Sequence, residues 1–494
     1  MTPQRSLRRR AHRPLRALPL AALAASFGMA GAQTTAGESR PETVMPVIKA
    51  TGSAERQGKD GVQATTTRIG KGQQELRDIP QSVTVVTEKL IDDRNLDTLK
   101  DVLKNTAGIT FLAAEGGEED IRLRGFALQG TGDVFVDGMR DPAFYERDTF
   151  FYDRLEVLRG SASMLFGRGS TGGAVNQVSK VARAMDEHQV DLTLGNHTYL
   201  RLVGDFNLRL GDNAGLRLGT MLTQADNNGS GSSLDKSGVA ASLRWGIGTR
   251  NEFALTGYVL DNGNGMNYGM PWIRPTTSSS ASETTMLPID PGSYYGLASD
   301  RNAGQAATLT ATHTHRVDRN HEITTKIRHG GYKRDQRSGA IRFAGAALQP
   351  GGVAASLETF GPNTVLNRNT HLKIQDLDTL FAQSDYSGKF RALGLRHEVQ
   401  AGVDVAREEK TVYGARSAVQ GGVVPAKPTT IIGRPDDGTA VDESVRVLRV
   451  ANDYTSEGVG VYAQDLIQFA PAWKLLVGAR YDKLTGDYNT YAIP

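Results

Sequence analysis

From Gln189 to the end of the chain, apolar and polar residues alternate in runs of about ten. Leu200, Leu202, Phe206, Leu208 and Leu210 share one face of such a run, and Arg201, Asp205, Asn207 and Arg209 share the other. Val399, Ala401, Val403 and Val405 alternate with Arg396, Glu398, Gln400 and Asp404. Trp473, Leu475, Val477, Ala479 and Tyr481 alternate with Lys474, Arg480 and Asp482. A period of two marks strands with one apolar and one polar face. The pattern predicts eleven strands, near 189–194, 199–210, 215–226, 237–247, 251–260, 305–316, 321–334, 378–388, 395–407, 458–469 and 473–485. Their length matches the ~9–11 residues that cross a bilayer at a tilt. Strands of a water-soluble sandwich run nearer ~5–6. Connections 211–214, 248–250, 317–320, 389–394 and 470–472 are short. Those at 261–304, 335–377 and 408–457 are long, and 227–236 is intermediate. Short turns on one side and long loops on the other are the habit of an outer-membrane barrel. Only 195–198 departs from it, being short on the long-loop side.

The preceding stretch, Leu76 to Lys180, has another texture. Ser82 to Val86 reads as a strand and Leu96 to Leu103 as a short helix. Ile121 to Arg124, Val134 to Asp137 and Leu155 to Leu158 are strand-like and separated by glycine turns. The expectation is a small α+β globule of about 110 residues. Gln33 to about Gly72 lacks periodicity and reads as a flexible tail. Within it, Thr43-Val44-Met45-Pro46-Val47-Ile48 is extended, since Pro46 prevents helix. Such a segment either adds a strand to a partner's sheet or is an incidental apolar patch. Met1 to Arg16 is basic, Ala17 to Met29 is a short apolar run, and Ala30-Gly31-Ala32 offers small residues for cleavage. That is the order of a secretory signal. The organisation expected is therefore a signal at 1–32, a tail at 33–72, a globule at 73–183 and a strand-built wall at 184–494.

Composition narrows the chemistry. Lys plus Arg is 57 and Asp plus Glu is 54. Arg5, Arg8, Arg9, Arg10, Arg13 and Arg16 all lie in the acid-free first 32 residues, so the rest is slightly acidic. A chain-wide cationic surface for nucleic acid is excluded. The absence of cysteine removes disulfides, thiolate zinc sites and a cysteine nucleophile. A hydrophobic content of 39% excludes a multi-helix membrane protein but not a barrel, whose strands are half apolar. Gly167-x-Gly169-x-x-Gly172 fits a dinucleotide loop in letters, yet no helix opens after it, so a tight turn is expected. His313 and His315 could pair as metal ligands, but their outward parity near a strand end favours an interfacial role. No Ser/His/Asp spacing, HExxH or Walker loop points to catalysis.

Several runs resemble one family. Arg77-Asp78-Ile79-Pro80-Gln81-Ser82-Val83-Thr84-Val85-Val86, Arg122-Leu123-Arg124-Gly125-Phe126 and Phe135-Val136-Asp137-Gly138-Met139-Arg140-Asp141 are similar to the plug of TonB-dependent ferric-siderophore receptors. So are Leu155-Glu156-Val157-Leu158-Arg159-Gly160 and the run from Leu165 to Lys180. Gly460 to Asp465 and Gly478 to Asp482 resemble its barrel strands, and Asp137 to Asp141 resembles the catecholate subgroup.

The resemblance implies a transmembrane β-barrel of 22 antiparallel strands around an N-terminal plug. Eleven strands and an end at Ala492-Ile493-Pro494, on the long-loop side, lead to the expectation of a C-terminally truncated, half-complete wall. Half a barrel exposes two unpaired edges to lipid, so the chain as written is not expected to insert or transport by itself. The resemblance further implies export to the outer membrane and no enzymatic activity, resident cofactor or metal. Its partners would be outer-membrane lipid, a ferric siderophore and an inner-membrane TonB-type protein that grips Thr43 to Ile48 as an added strand. An anionic tris-catecholate favours arginine and aromatic side chains. Arg140, Asp141, Phe144, Tyr145 and Arg147 fit that role, or else tie plug to wall. Arg124, Glu156 and Arg159 occupy the family's plug-locking positions, where the resemblance implies that plug arginines pair with barrel glutamates, usually of the later barrel, which is absent here. Other cargo on the same fold (a hydroxamate siderophore, haem, cobalamin or a glycan) stays open, as do a barrel enzyme such as a lipase or protease and a passive pore.

Overall fold

The computed structural model describes residues 61–111, 119–128, 133–142, 145–169, 171–227 and 232–492. The signal, the segment Thr43 to Ile48 and Phe144 lie outside the described residues.

The described chain opens with a hairpin, β1 (Thr66–Thr67) against β2 (Gln74–Glu75). The globule follows. Its β-branched run β3 (Ser82–Thr87) leads to α1 (Glu88–Asp93) and α2 (Leu99–Leu103). The predicted helix starts at Leu99 rather than Leu96 because Thr98 caps it, its hydroxyl accepting from the Asp101 N–H at 3.2 Å. A three-stranded sheet joins β4 (Ile109–Phe111), β5 (Ile121–Leu123) and β6 (Phe126–Ala127). The main sheet adds β7 (Val134–Val136), β8 (Met139–Arg140), β9 (Tyr152–Arg159) and β10 (Gly173–Ser179) to β3, in the order β3-β9-β10-β7-β8. Its β7–β10 pair is parallel. Short α3 (Ser163–Phe166) precedes a turn with Gly167 and Gly169 at φ +77° and +82°. The chain then re-enters a strand, so this Gly-rich run is a turn and no nucleotide loop. Leu99, Leu103, Leu123, Val157 and Val175 form the heart of the core.

The wall is a meander of eleven antiparallel strands. They are β11 (Glu187–Gly195), β12 (Tyr199–Gly211), β13 (Ala214–Ala225), β14 (Leu234–Trp245), β15 (Asn251–Gly265), β16 (Arg301–Arg316), β17 (His321–Phe343), β18 (Val365–Ala392), β19 (Leu395–Ala415), β21 (Leu448–Ala470) and β22 (Trp473–Thr490). A further short strand, β20 (Thr430–Ile431), folds back from a long loop onto β18. All eleven predicted strands are present, but several are far longer, β18 reaching 28 residues. The extra length lies on the long-loop side. There β17 is buried on both faces from Gln336 to Ile341, covered by the long loops, so alternation stops while ladder pairing continues. The short 196–198 turn is real, with His197 and Thr198 both at φ +57°.

Exposure along the wall is inverted relative to a water-soluble sheet. Leu192, Val239, Leu309 and Val461 are 53–62% exposed, whereas Arg201, Ser242, Thr310 and Gln400 are 0–6% exposed. The apolar face looks outward and the polar face is covered from within, as an outer-membrane barrel requires. The cover is the globule, hence a plug. Phe150 and Phe151 lie against glycines of the wall: a Cβ on Gly219 would come within 2.5 Å of Phe151, and one on Gly238 within 2.7 Å of Phe150. Among the described residues no helix is long and apolar enough to cross a membrane, which says nothing of a barrel.

Candidate functional site

The plug is held to the wall by buried ion pairs, and many run opposite to the expected sense. Wall bases grip plug acids: Arg201 binds Asp148 at 2.7 Å, Lys236 binds Glu146, and Arg328 lies 3.4 Å from Asp137. Arg217 of β13 and Lys180 just beyond the plug strand β10 converge on Glu88 and Asp205. Fewer pairs have the reverse sense, such as Arg168 with Glu408 at 2.6 Å. The residues assigned to locking have these contacts within the described plug. Glu156 is buried and accepts from Thr67 Oγ1 at 2.7 Å, Arg154 Nε at 3.0 Å and Asn176 Nδ2 at 2.9 Å. Arg159 donates to the Ala107 carbonyl and to Thr84 Oγ1, both at 2.8 Å. Arg124 is an exposed turn residue at φ +53° beside Arg159.

The predicted ligand residues separate into two groups. Arg147 is 1% exposed. Its guanidinium is spent on Glu119, on Asp141 at 2.8 Å and on the Pro142 carbonyl at 2.7 Å. Asp141 also accepts from Tyr145 at 3.0 Å and, across the interface, from Tyr332 of β17 at 3.2 Å. Tyr145 stacks on Tyr332 with centroids 5.8 Å apart. Asp141 and Tyr145 therefore touch the wall directly, and Arg147 braces Asp141 from within the plug. Arg140 differs. It donates to the Phe166 and Arg168 carbonyls at 3.2 and 2.8 Å and borders a cavity. Burial and the nearby Arg168 charge push its pKa down to about 10, against the opposing pull of Asp133 and Glu408.

That cavity, of about 110 Å³, lies between plug and wall. Lys71, Arg140, Arg168, Arg480 and Lys483 line it against Asp404, Glu408 and Asp482, an excess of cations. Arg480 of β22 pairs with Asp404 of β19 at 2.9 Å. Lys71 belongs to the hairpin that the sequence placed in a flexible tail, and here the structure corrects the reading. Ile69 is 2% exposed, packed among Phe135, Leu158, Phe166 and Tyr462. Lys71 sits at φ +64°, 3.8 Å from Asp385 and with its ammonium 4.5 Å from the Tyr462 ring centre. Arg68 reaches Glu322 on β17 at 3.0 Å. Periodicity cannot reveal so short an element. The usable signal was Gly70-Lys71-Gly72 between two polar pairs, a turn composition.

Residues 75–174 match the family model described as the TonB-dependent Receptor Plug Domain. Residues 244–493 match the TonB dependent receptor-like beta-barrel. The probable TonB-dependent receptor BfrD of Bordetella pertussis is 28% identical over 420 residues, covering 82% of this chain and 54% of its own length. The probable TonB-dependent siderophore receptor PiuA of Acinetobacter baumannii is 26% identical over 492 residues, covering 95% and 62%. The crystal structure of the ferric-catecholate import receptor Fiu from E. coli, in its closed form, superposes with a TM-score of 0.76 at 25% identity, covering 87% of this chain and 60% of that one. The chain thus spans between half and two thirds of the length of these relatives. A plug docked by buried ion pairs inside an outward-greasy meander, matched in both halves by the family's models, makes this chain a member of the TonB-dependent receptors.

Proposed function

We propose that the chain carries the plug and the first eleven wall strands of an outer-membrane receptor that takes up a ferric siderophore of catecholate type. The observation that carries this reading is the cation-rich cavity between plug and wall, with Arg140 at its plug side. A ferric tris-catecholate is anionic, and charged hydrogen bonds from guanidinium groups suit its oxygens. The catecholate and siderophore names of Fiu and PiuA support the same class of cargo. Arg140 would meet the chelate, and the Asp141, Tyr145 and Arg147 group would hold the loop that carries it. The tail segment Thr43 to Ile48 would be gripped by a TonB-type protein of the inner membrane, and residues 1–32 would direct export.

Growth of the producing organism on iron-limited medium with single siderophores, comparing the intact gene with a deletion, tests the assignment. Rescue by catecholates that needs the gene is expected. Dependence confined to hydroxamates, haem or cobalamin would move the cargo; dependence on no chelate would remove iron.

A further inference from the structure

We infer that His313, His315 and Asn251 form a binding site for a divalent transition-metal ion on the outer face of the wall, at its short-turn rim. His313 and His315 are two apart near the end of β16, so their side chains leave the same face. Asn251 opens β15 and stands directly across the ladder from His315. The ring nitrogens converge on one atom. His313 Nε2 lies 3.2 Å from Asn251 Oδ1, and His315 Nδ1 lies 2.7 Å from the same oxygen. Donors bound to one ion at about 2.0–2.1 Å stand roughly 3 Å from their neighbours in the coordination sphere. Each ring nitrogen is therefore already spaced from the amide oxygen as an adjacent ligand would be, and that oxygen can turn from accepting hydrogen bonds to coordinating.

The arrangement is held from behind. The His313 ring lies 4.4 Å from the Phe253 ring and 8° from parallel to it. Phe253 in turn stacks on Trp245 at 5.4 Å and 13°. This ladder fixes the imidazole plane, so little rotamer freedom is lost on binding. The residues across the ladders from the two histidines are Phe253, Asn251, Thr325 and Ile323, none of them charged. The nearby Arg316 is engaged by Glu252 at 2.9 Å and by the Thr249 carbonyl at 2.8 Å. Two neutral imidazoles and an amide oxygen suit Cu²⁺ first, then Ni²⁺ and Zn²⁺, and leave open positions for water. Hard cations such as Mg²⁺ prefer oxygen donors and are not expected to compete. The inference is independent of the cargo, since the site lies outside the lumen.

Titration of the purified full chain in detergent with Cu²⁺, read by calorimetry and by electron paramagnetic resonance, tests it. One ion coordinated by two imidazole nitrogens per chain is expected. His313→Ala and His315→Ala should each weaken binding at least as much as loss of an outer-shell partner does, about 10–100-fold. His313→Phe, which keeps the ring stack, must lose the ion equally. His321→Ala and His397→Ala, at other rim positions, should leave it in place. Wild-type affinity in the His313→Ala/His315→Ala double variant, or binding that follows His397 instead, would overturn the assignment.

Discussion

Arg201 of β12 grips Asp148 of the plug with both terminal nitrogens, Nη1 to Oδ2 at 2.9 Å and Nη2 to Oδ1 at 2.7 Å, in a setting closed to solvent. The same guanidinium lies 3.1 Å from Asp97. Removing one partner of a buried pair strands the other charge, at a cost of about 3–5 kcal/mol. Arg201→Met strands two carboxylates and Asp148→Asn none, so the arginine variant should be the more damaging. Replacing both Arg201 and Asp148 by apolar residues should recover much of the loss. Thermal unfolding and protease cleavage of the plug, compared across the three variants, decide this. Equal effects of the two single substitutions would show that the pair is not what docks the plug.

Lys71 gives the hairpin a pH dependence of known sign. Burial holds its ammonium below the usual lysine pKa. Between that lowered value and the ordinary 10.5, the undocked hairpin binds more protons than the docked one. Docking therefore strengthens as pH rises through this interval, and below it the burial cost applies in full. Protease access to residues 66–75 should fall on raising the pH from neutral toward about 10. Lys71→Met should be insensitive to the same change. A hairpin that loosens at high pH in both proteins would refute the account.

Gly173 begins β10 at φ +142°, and an added Cβ would stand 2.0 Å from the Leu158 carbonyl oxygen. The obstacle is backbone of the adjoining strand β9, which cannot swing away as a side chain can. Gly173→Ala should destabilise the plug by well over about 1 kcal/mol. Gly345, with nothing within 4 Å and an ordinary φ, supplies the control, and Gly345→Ala should be close to neutral. Denaturant midpoints of the two variants give the comparison.

The wall was legible because lipid on one face and a packed lumen on the other force strict alternation, as in Leu200 to Leu210. Strand ends were not: where β17 and β18 rise beyond the bilayer, Arg334, Gln336 and Lys373 continue the ladder with no apolar partner face to announce it. The plug was legible as a globule and through its family runs, yet its docking to these strands was not. Its contacts to these strands depend on Arg201, Arg217, Lys236 and Arg328, which in sequence are only the polar half of an alternation. Pairings between residues 53 to 191 apart leave no local trace. The roles of Asp141, Tyr145 and Arg147 were ambiguous for the same reason, since loop composition suits a ligand and a tie equally.

Arg140 and Arg147 stand seven positions apart in one loop and should fail in different ways. Arg147 is buried between two carboxylates, Glu119 and Asp141, and the second of these is also the anchor of Tyr332 on the wall. Arg147→Met leaves both acids without their cation, and the expected result is about 3–5 kcal/mol of lost stability together with a plug open to proteases. Arg140 is held by carbonyls beside a second guanidinium, with Asp133 and Glu408 offsetting part of the cost of its burial. Arg140→Met should therefore cost less stability than Arg147→Met, since burial outweighs the favourable charges around Arg140. In a receptor with its whole wall, the same change should weaken binding of an anionic ferric catecholate by roughly ten- to a hundredfold, the worth of one charged hydrogen bond at about 1.5–3 kcal/mol. Unfolding curves and chelate-quenched tryptophan fluorescence separate the two outcomes. If Arg140→Met binds as tightly as the parent, the cavity is not where the cargo is held.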